Sequence, residues 1–196
     1  MDSCIAEPRR TPVPQTSNRR LRIVLFAIAI AVLAVDQLTK FIAVQTLEGR
    51  ERIPVIGELA GFTFYRNPGA ALGMGENTTW LFALIAIGVF IAILVVSRKL
   101  GSRAWTAGLG MLLGGLTGNL VDRLFRPPGF FHGAVVDFID LYFFVCNVAD
   151  IAISAAAVTI VLTTLRNIGV DGTAAGDDQS SGGDYDTPTE EARAQR

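Results

Sequence analysis

The chain has 196 residues, 51% of them apolar, and a formal net charge of −1; mean hydropathy is positive. Apolar content at that level, with charge gathered at the two ends and in short loops, marks an integral membrane protein. No block of Lys or Arg is long enough to propose nucleic acid as a partner, Cys4 and Cys146 are too far apart to suggest a disulfide framework or metal knuckle, and a single histidine, His132, rules out a His-Glu-x-x-His zinc site.

In chain order, residues 1–20 form a Pro- and Arg-rich arm whose composition predicts disorder. The first apolar segment, Arg22–Val44, is too long, too centrally interrupted by Asp36 and too poorly followed by a small-residue cleavage motif to be a removable signal peptide, so it reads as a retained helix. The loop over Glu48–Asn77 alternates in Gly61-Phe62-Thr63-Phe64-Tyr65 and then turns at Asn67-Pro68-Gly69, which predicts short strands resting on the outer membrane face. Further segments follow at Thr79–Ser97, Ala104–Val121 and Val148–Leu165. Each is long enough to cross a bilayer of roughly 30 Å, which needs about 20 mostly apolar residues. Residues 169–196 are rich in Gly, Ser, Thr and Asp and are predicted to be a second disordered tail, leaving 21–168 as the membrane domain.

Charge sets the orientation. Arg9, Arg10, Arg19, Arg20 and Arg22 precede the first segment, Arg98, Lys99 and Arg103 separate the second from the third, and Arg166 ends the fourth. The positive-inside rule then places both termini in the cytoplasm of a multi-pass protein. Gly110, Gly114 and Gly118, spaced by four, are expected to let helices approach closely. Phe130 and Phe131 are expected at the membrane interface, and Cys146 as a small buried hydrophobe rather than a nucleophile.

Four aspartates, Asp36, Asp122, Asp137 and Asp150, stand among aliphatic and aromatic residues, where an ionised group is costly and therefore a functional hypothesis. At 1.5 Å per residue Asp36 lies ~21 Å along its helix from Arg22, Asp122 ~28 Å from Arg103 and Asp150 ~24 Å from Arg166. All three reach the outer third of the bilayer. Asp137, in the loop between the third and fourth helices, can fold back to that level. The four carboxylates thus imply one polar site at the extracytoplasmic boundary.

Asp36 and Lys40 share a helix face at i, i+4; Asn119 with Asp122 and Asn147 with Asp150 do so at i, i+3. The ordinary reading of Asp36–Lys40 and of Asp122 with Arg123 is structural, since a carboxylate held by a cation stays ionised and is a poor proton donor. Asp137 has no adjacent cation, and Asp150 has only the Asn147 amide. Two such acids brought together share one proton, the arrangement an aspartic peptidase uses.

Four blocks give the chain a family resemblance across about residues 22–166: Asp36-Gln37-Leu38-Thr39-Lys40; Asn67-Pro68-Gly69-Ala70-Ala71; Gly114-Gly115-Leu116-Thr117-Gly118-Asn119-Leu120-Val121-Asp122-Arg123 with Val135-Val136-Asp137-Phe138; and Asn147-Val148-Ala149-Asp150. In that order, within four apolar segments, they resemble lipoprotein signal peptidase, also called signal peptidase II. The resemblance implies an all-α integral membrane protein, four transmembrane helices with a small extracytoplasmic β-rich cradle over Glu48–Asn77, in the bacterial cytoplasmic membrane. It implies an aspartic endopeptidase that removes the signal peptide of diacylglyceryl-modified prolipoproteins before the lipidated lipobox cysteine. The catalytic pair maps onto Asp137 and Asp150, and substrate-binding or supporting roles onto Asp36, Lys40, Asn67, Asn119, Asp122, Arg123 and Asn147. No metal or other cofactor is implied; the partners are prolipoprotein substrates and membrane lipids, and a monomer is expected. The chain departs from the family pattern in the Phe125–His132 stretch, at Leu72 and at Cys146.

Other classes fit less well. A proton-coupled transporter would need a relay across the membrane and paired repeat halves. A magnesium-dependent lipid phosphotransferase could use Asp137 and Asp140, but would want its carboxylates on the cytoplasmic side. A scaffold without chemistry would not need to carry the desolvation cost.

Overall fold

The structure, a computed structural model, describes residues 15–69 and 79–173. Four long helices alternate with strands in the order α1 (Gln15–Leu47), β1 (Ile53–Ile56), β2 (Ala60–Asn67), α2 (Thr79–Val96), α3 (Arg103–Phe125), β3 (Val135–Asp140), β4 (Val145–Cys146) and α4 (Val148–Leu165). The disorder expected for 1–14 and 174–196, and the Ala70, Ala71 and Leu72 positions, lie outside the described residues. The boundary drawn at residue 20 falls inside α1, which begins at Gln15.

Arg19–Leu47, Thr79–Lys99 and Val148–Leu165 are each long and apolar enough to cross a membrane. Their burial is inverted relative to a protein in water. On α1, Asp36, Lys40 and Ala43 are buried while Leu38 and Phe41 are exposed; on α2, Ala83, Ala86 and Ile93 are buried while Leu84, Ile85 and Ile91 are exposed. Apolar surface of this extent facing outward suits lipid, not water. The helix expected over Ala104–Val121 is present as α3, but with five glycines, Asn119, Asp122 and Arg123 it is not among the helices apolar enough to cross a membrane by length and composition.

α3 packs against α1, α2 and α4, and its glycines are the reason it can. A Cβ on Gly114 would lie 2.7 Å from Ala29 O, and one on Gly110 3.0 Å from Leu25 O, so this stripe meets α1 backbone to backbone. A Cβ on Gly115 would meet Ala149 O of α4 at 2.6 Å. Small residues at such crossings allow close van der Waals contact, which is what associates helices in lipid.

The four strands form one antiparallel sheet in the order β1-β2-β3-β4, pairing Tyr65 with Asp137, Asn67 with Val135 and Ile139 with Cys146. The strands of the Glu48–Asn77 loop were anticipated; β3 and β4 were not, and Asp137, expected in a loop, sits on β3. Val136 and Phe138 pack onto Ala43 and Leu47 of α1. Because side chains alternate along a strand, Asp137 between them faces the other way.

At the opposite end of the bundle, residues just beyond α4 dock on the start of α3. Val170 O accepts from Gly101 N (2.9 Å) and Ser102 N (3.2 Å), and Ile168 O accepts from Trp105 Nε1 at 2.9 Å. The tail predicted from residue 169 is therefore ordered through Thr173.

Candidate active site

The acids converge where the C-terminal parts of α1 and α3, the start of α4 and the β2–β3 pair meet. Asp36, Lys40, Asp122 and Asn147 are 0% exposed and Asp137 is 1% exposed, so every polar atom here needs a partner.

Lys40 is the hub of the supporting half. Its Nζ lies 2.9 Å from Asp36 Oδ2 and 2.9 Å from Asp122 Oδ2, and donates to Asn119 Oδ1 at 2.9 Å. Asp36 Oδ1 accepts from Ala149 N at 2.9 Å, fixing the start of α4 on α1. Asp122 Oδ2 accepts from Val136 N at 3.2 Å, tying β3 to α3. The Asp36–Lys40 pair is thus present as expected. The Asp122–Arg123 and Asn119–Asp122 pairings are not: Asp122 Oδ1 takes Arg126 Nε at 2.6 Å, whereas Asn119 turns to Lys40 and Asp150. Adjacent helix residues project in different directions, while i and i+4 are stacked, which is why Arg126 rather than Arg123 reaches Asp122. Arg123 Nη1 instead donates to Asn119 O at 3.1 Å and its guanidinium lies over the Phe82 ring at 5.7 Å. Its Nε is buried with no hydrogen-bond partner among the described residues.

The other half is held by amides. Asp137 accepts from Asn67 Nδ2 at 2.9 Å and from Asn147 Nδ2 at 2.6 Å. Asp150 Oδ1 accepts from Asn119 Nδ2 at 2.8 Å, and Asp150 Oδ2 from Asn147 N at 3.1 Å. Asn147 Oδ1 accepts from Asp150 N at 3.1 Å, so Asn147 and Asp150 form the capping box that starts α4. Neither Asp137 nor Asp150 is in an ion pair among the described residues. Burial, partly offset by the Asn67 bond and reinforced by the charge of Asp150, pushes the Asp137 carboxyl up to about 6. Burial likewise pushes the Cys146 thiol up to about 11, which fits a buried inert thiol.

All nine residues singled out in the sequence meet here. Two that were passed over also contribute: Gln37, whose amide donates to Asp36 Oδ2 (3.1 Å) and Gly118 O (3.1 Å), and Arg126. The i+4 spacing from Asp122 was the signal for Arg126; nothing local marks Gln37. Beside the site, Arg66, Pro68, Pro128, Gly129, Phe130, His132 and Ala134 line an open cleft of about 670 Å³.

Apolar helices, a small sheet and a cluster of buried acids at one end define a membrane enzyme. The profile described as signal peptidase (SPase) II matches residues 28–166, and the chain belongs to that family. It is 43% identical over 171 residues to a lipoprotein signal peptidase of Rhodococcus jostii (strain RHA1), covering 87% of this chain and 86% of that protein. It is 45% identical over 160 residues to one of Streptomyces coelicolor, covering 81% and 78%. Among solved structures it is similar to one described as a bacterial membrane enzyme at 2.3 Å resolution, with a TM-score of 0.64 and 29% identity over 73% of this chain and 88% of that one.

Proposed function

We propose that the protein cleaves the signal peptide from diacylglyceryl-modified prolipoproteins just before the lipidated cysteine, with Asp137 and Asp150 as the catalytic dyad. The observation that carries this reading is the placement of Asn147, which bonds Asp137 through its side-chain amide and Asp150 through its backbone N–H. One residue sets the relative position of both acids, and neither is in an ion pair among the described residues. In such a pair the ionised carboxylate takes a proton from a water as it attacks the scissile carbonyl, while the protonated one donates to the carbonyl oxygen and then to the leaving nitrogen. The proton belongs to the pair. A carboxyl titrating near 6 is poised to hold or release it close to neutral pH. Arg123 Nε, which has no partner among the described residues, is a donor for a substrate carbonyl at the same site.

In this reading α3 is the fourth span. Its polar residues are covered by α1 and α4, so its lower hydropathy reflects a site inside the bundle rather than exposure to water. The acids lie at the outer face of a bacterial cytoplasmic membrane, both termini are cytoplasmic, and the sheet is the extracytoplasmic cradle. The basic residues Arg98, Lys99 and Arg103, beside the Ile168–Val170 turn, support that orientation.

The test is to give purified protein a diacylglyceryl-modified lipobox peptide and its unmodified twin in one detergent. Cleavage of the first alone is expected. Equal cleavage of both, or of neither, would overturn the assignment.

A further inference from the structure

Two turns project from the same end of the sheet. β2 begins at Ala60 and β3 finishes at Asp140, and the strands run antiparallel with Gly61 opposite Asp140, so the β1–β2 and β3–β4 turns lie side by side. Both present apolar side chains outward. Val55, Ile56 and Leu59 are exposed on the first, and Leu141, Tyr142, Phe143 and Phe144 on the second. Phe143, at 87%, is the most exposed large apolar side chain among the described residues.

The turns are built, not loose. Arg52 Nε bonds Asp140 Oδ2 and its Nη2 donates to Glu58 O at 3.0 Å, so one guanidinium clamps the two turns together. Asp140 Oδ1 accepts from Tyr142 N at 3.0 Å, and Leu141 N donates to Phe144 O at 3.0 Å, which closes the second turn. Glu58 is the only charged residue from Ile53 to Gly61, and Leu141–Phe144 has none. Tyr142 sits at φ 64°, a left-handed conformation that Gly or Asn takes more cheaply. An aromatic at such a position points to a use for its side chain.

The depth of the turns follows from α1. An apolar slot of about 260 Å³ runs between Thr39, Ile42 and Thr46 of α1 and Phe62 and Phe138 of the sheet. Phe62 directly follows Gly61 and stands at the base of the turns. Thr39 precedes the end of α1 at Leu47 by eight residues, or ~12 Å of helix. The slot therefore opens alongside Arg19–Leu47, a segment apolar and long enough to cross a membrane, and next to the exposed Leu38 and Phe41. The Thr39 and Thr46 hydroxyls donate to Val35 O and Ile42 O at 2.8 Å each, within their own helix. That wall suits hydrocarbon rather than water.

We propose that Val55–Leu59 and Leu141–Phe144 form one foot that inserts into the lipid interface at the site end of the bundle, with hydrocarbon filling the slot behind it, and that this contact fixes the depth of Asp137. Tyr and Phe side chains are suited to that layer. Asp140, which holds the second turn, lies three residues beyond Asp137 on β3, ~10 Å at strand rise. The insertion stands apart from the peptidase reading, whereas its effect on turnover rests on it.

Depth is measured first. A nitroxide is attached at Phe143→Cys, Leu38→Cys or Arg50→Cys in a Cys4→Ser background, where the remaining Cys146 is buried, and the protein is reconstituted in phosphatidylcholine–phosphatidylglycerol nanodiscs. The Phe143 label should resemble the Leu38 label, accessible to oxygen and shielded from a water-soluble nickel chelate. A Phe143 label as open to nickel as one at Arg50, just past α1, overturns the foot. Turnover is measured second, with Tyr142→Ser/Phe143→Ser/Phe144→Ser. Its melting temperature in detergent should match wild type, since exposed side chains are removed, while cleavage of the lipidated peptide in nanodiscs should fall about tenfold. Unchanged cleavage there overturns the link to Asp137. A wild type that cuts no lipidated peptide overturns the peptidase reading instead, and the label depths still decide the foot.

Discussion

Asn147 donates its side-chain amide to Asp137 at 2.6 Å while its backbone N–H and side-chain oxygen close a capping box with Asp150. The start of a helix and the alignment of two acids are thus the same structural event. A fully buried amide with all its groups engaged holds that geometry with no salt bridge to either carboxylate among the described residues. The cation is spent elsewhere, on Asp36 and Asp122, which brace α1, α3, β3 and α4 around the pair.

Lys40→Met should cost folding. The substitution leaves Asp36 and Asp122 buried without their shared cation, and breaking such a pair costs roughly 3–5 kcal/mol. Arg126→Ala should cost less, because Asp122 keeps Lys40 and the Val136 N–H. Arg123→Ala should leave the Asp122 pairs intact. Thermal unfolding of the three variants in one detergent checks the order; Arg123→Ala destabilising more than Lys40→Met would reverse the roles.

Much of this was legible in the sequence. The apolar segments and the strands of the Glu48–Asn77 loop followed from hydropathy and alternation, and the nine candidate residues that the structure brings together were picked out by helical spacing and the four motif blocks. What was not legible depended on contacts between distant segments. Asp122 was paired with Arg123 because the two are adjacent, yet its partners are Lys40 on another helix and Arg126 one turn on. β3 was missed because Val135-Val136-Asp137-Phe138 is apolar on both sides of the acid and shows no alternation: one face packs on α1 and the other enters the site. The arm and tail boundaries were misplaced for a similar reason. Composition reports a segment's own tendency, whereas residues 169–173 are ordered by bonding to Gly101 and Ser102.

That docked turn gives a prediction. Truncation after Thr173 should leave cleavage and stability close to wild type, because residues 174–196 are polar and Gly-rich and follow a turn that lies at the end of the bundle remote from the acids. Truncation after Asn167 should lower the melting temperature, because it removes the acceptors of Trp105 Nε1, Gly101 N and Ser102 N and leaves those donors to find water. Equal melting temperatures for the two truncations would show that the turn contributes nothing.

Asp137→Asn should raise stability at neutral pH while abolishing activity. The native carboxyl titrates at about 6 against 3.8 for an unperturbed one. Between those values the native state keeps a proton that the unfolded state has lost, so stability falls as pH rises through the window and the penalty is complete above it. A shift of this size corresponds to a cost on the order of 3 kcal/mol. An amide in its place carries no charge to bury, and the single hydrogen bond it gives up, where its NH2 faces the Asn67 or Asn147 amide, offsets only part of that gain and does so equally at every pH. The melting temperature of Asp137→Asn should exceed that of wild type at pH 7.5, with the gap closing toward pH 4. A gap of the same size at both pH values would show that burial of this charge is not what the substitution relieves.

Asp137→Asn and Asp150→Asn should each abolish cleavage of the lipidated peptide while the protein still folds and binds it. Asparagine keeps the volume, and in the Asp150 variant its carbonyl can still accept from Asn147 N, so the capping box and the start of α4 persist. It can neither take a proton from water nor give one to the leaving nitrogen, and both halves of the cycle stop. Since the acids act as one unit, the double variant should be hardly slower than either single one. Chelators should leave the wild type unaffected, because the proposed dyad needs no metal to activate the water. Substantial turnover by Asp150→Asn, or loss of wild-type activity in EDTA with recovery on adding a divalent ion, would remove the dyad mechanism and return a metal-dependent reaction to consideration.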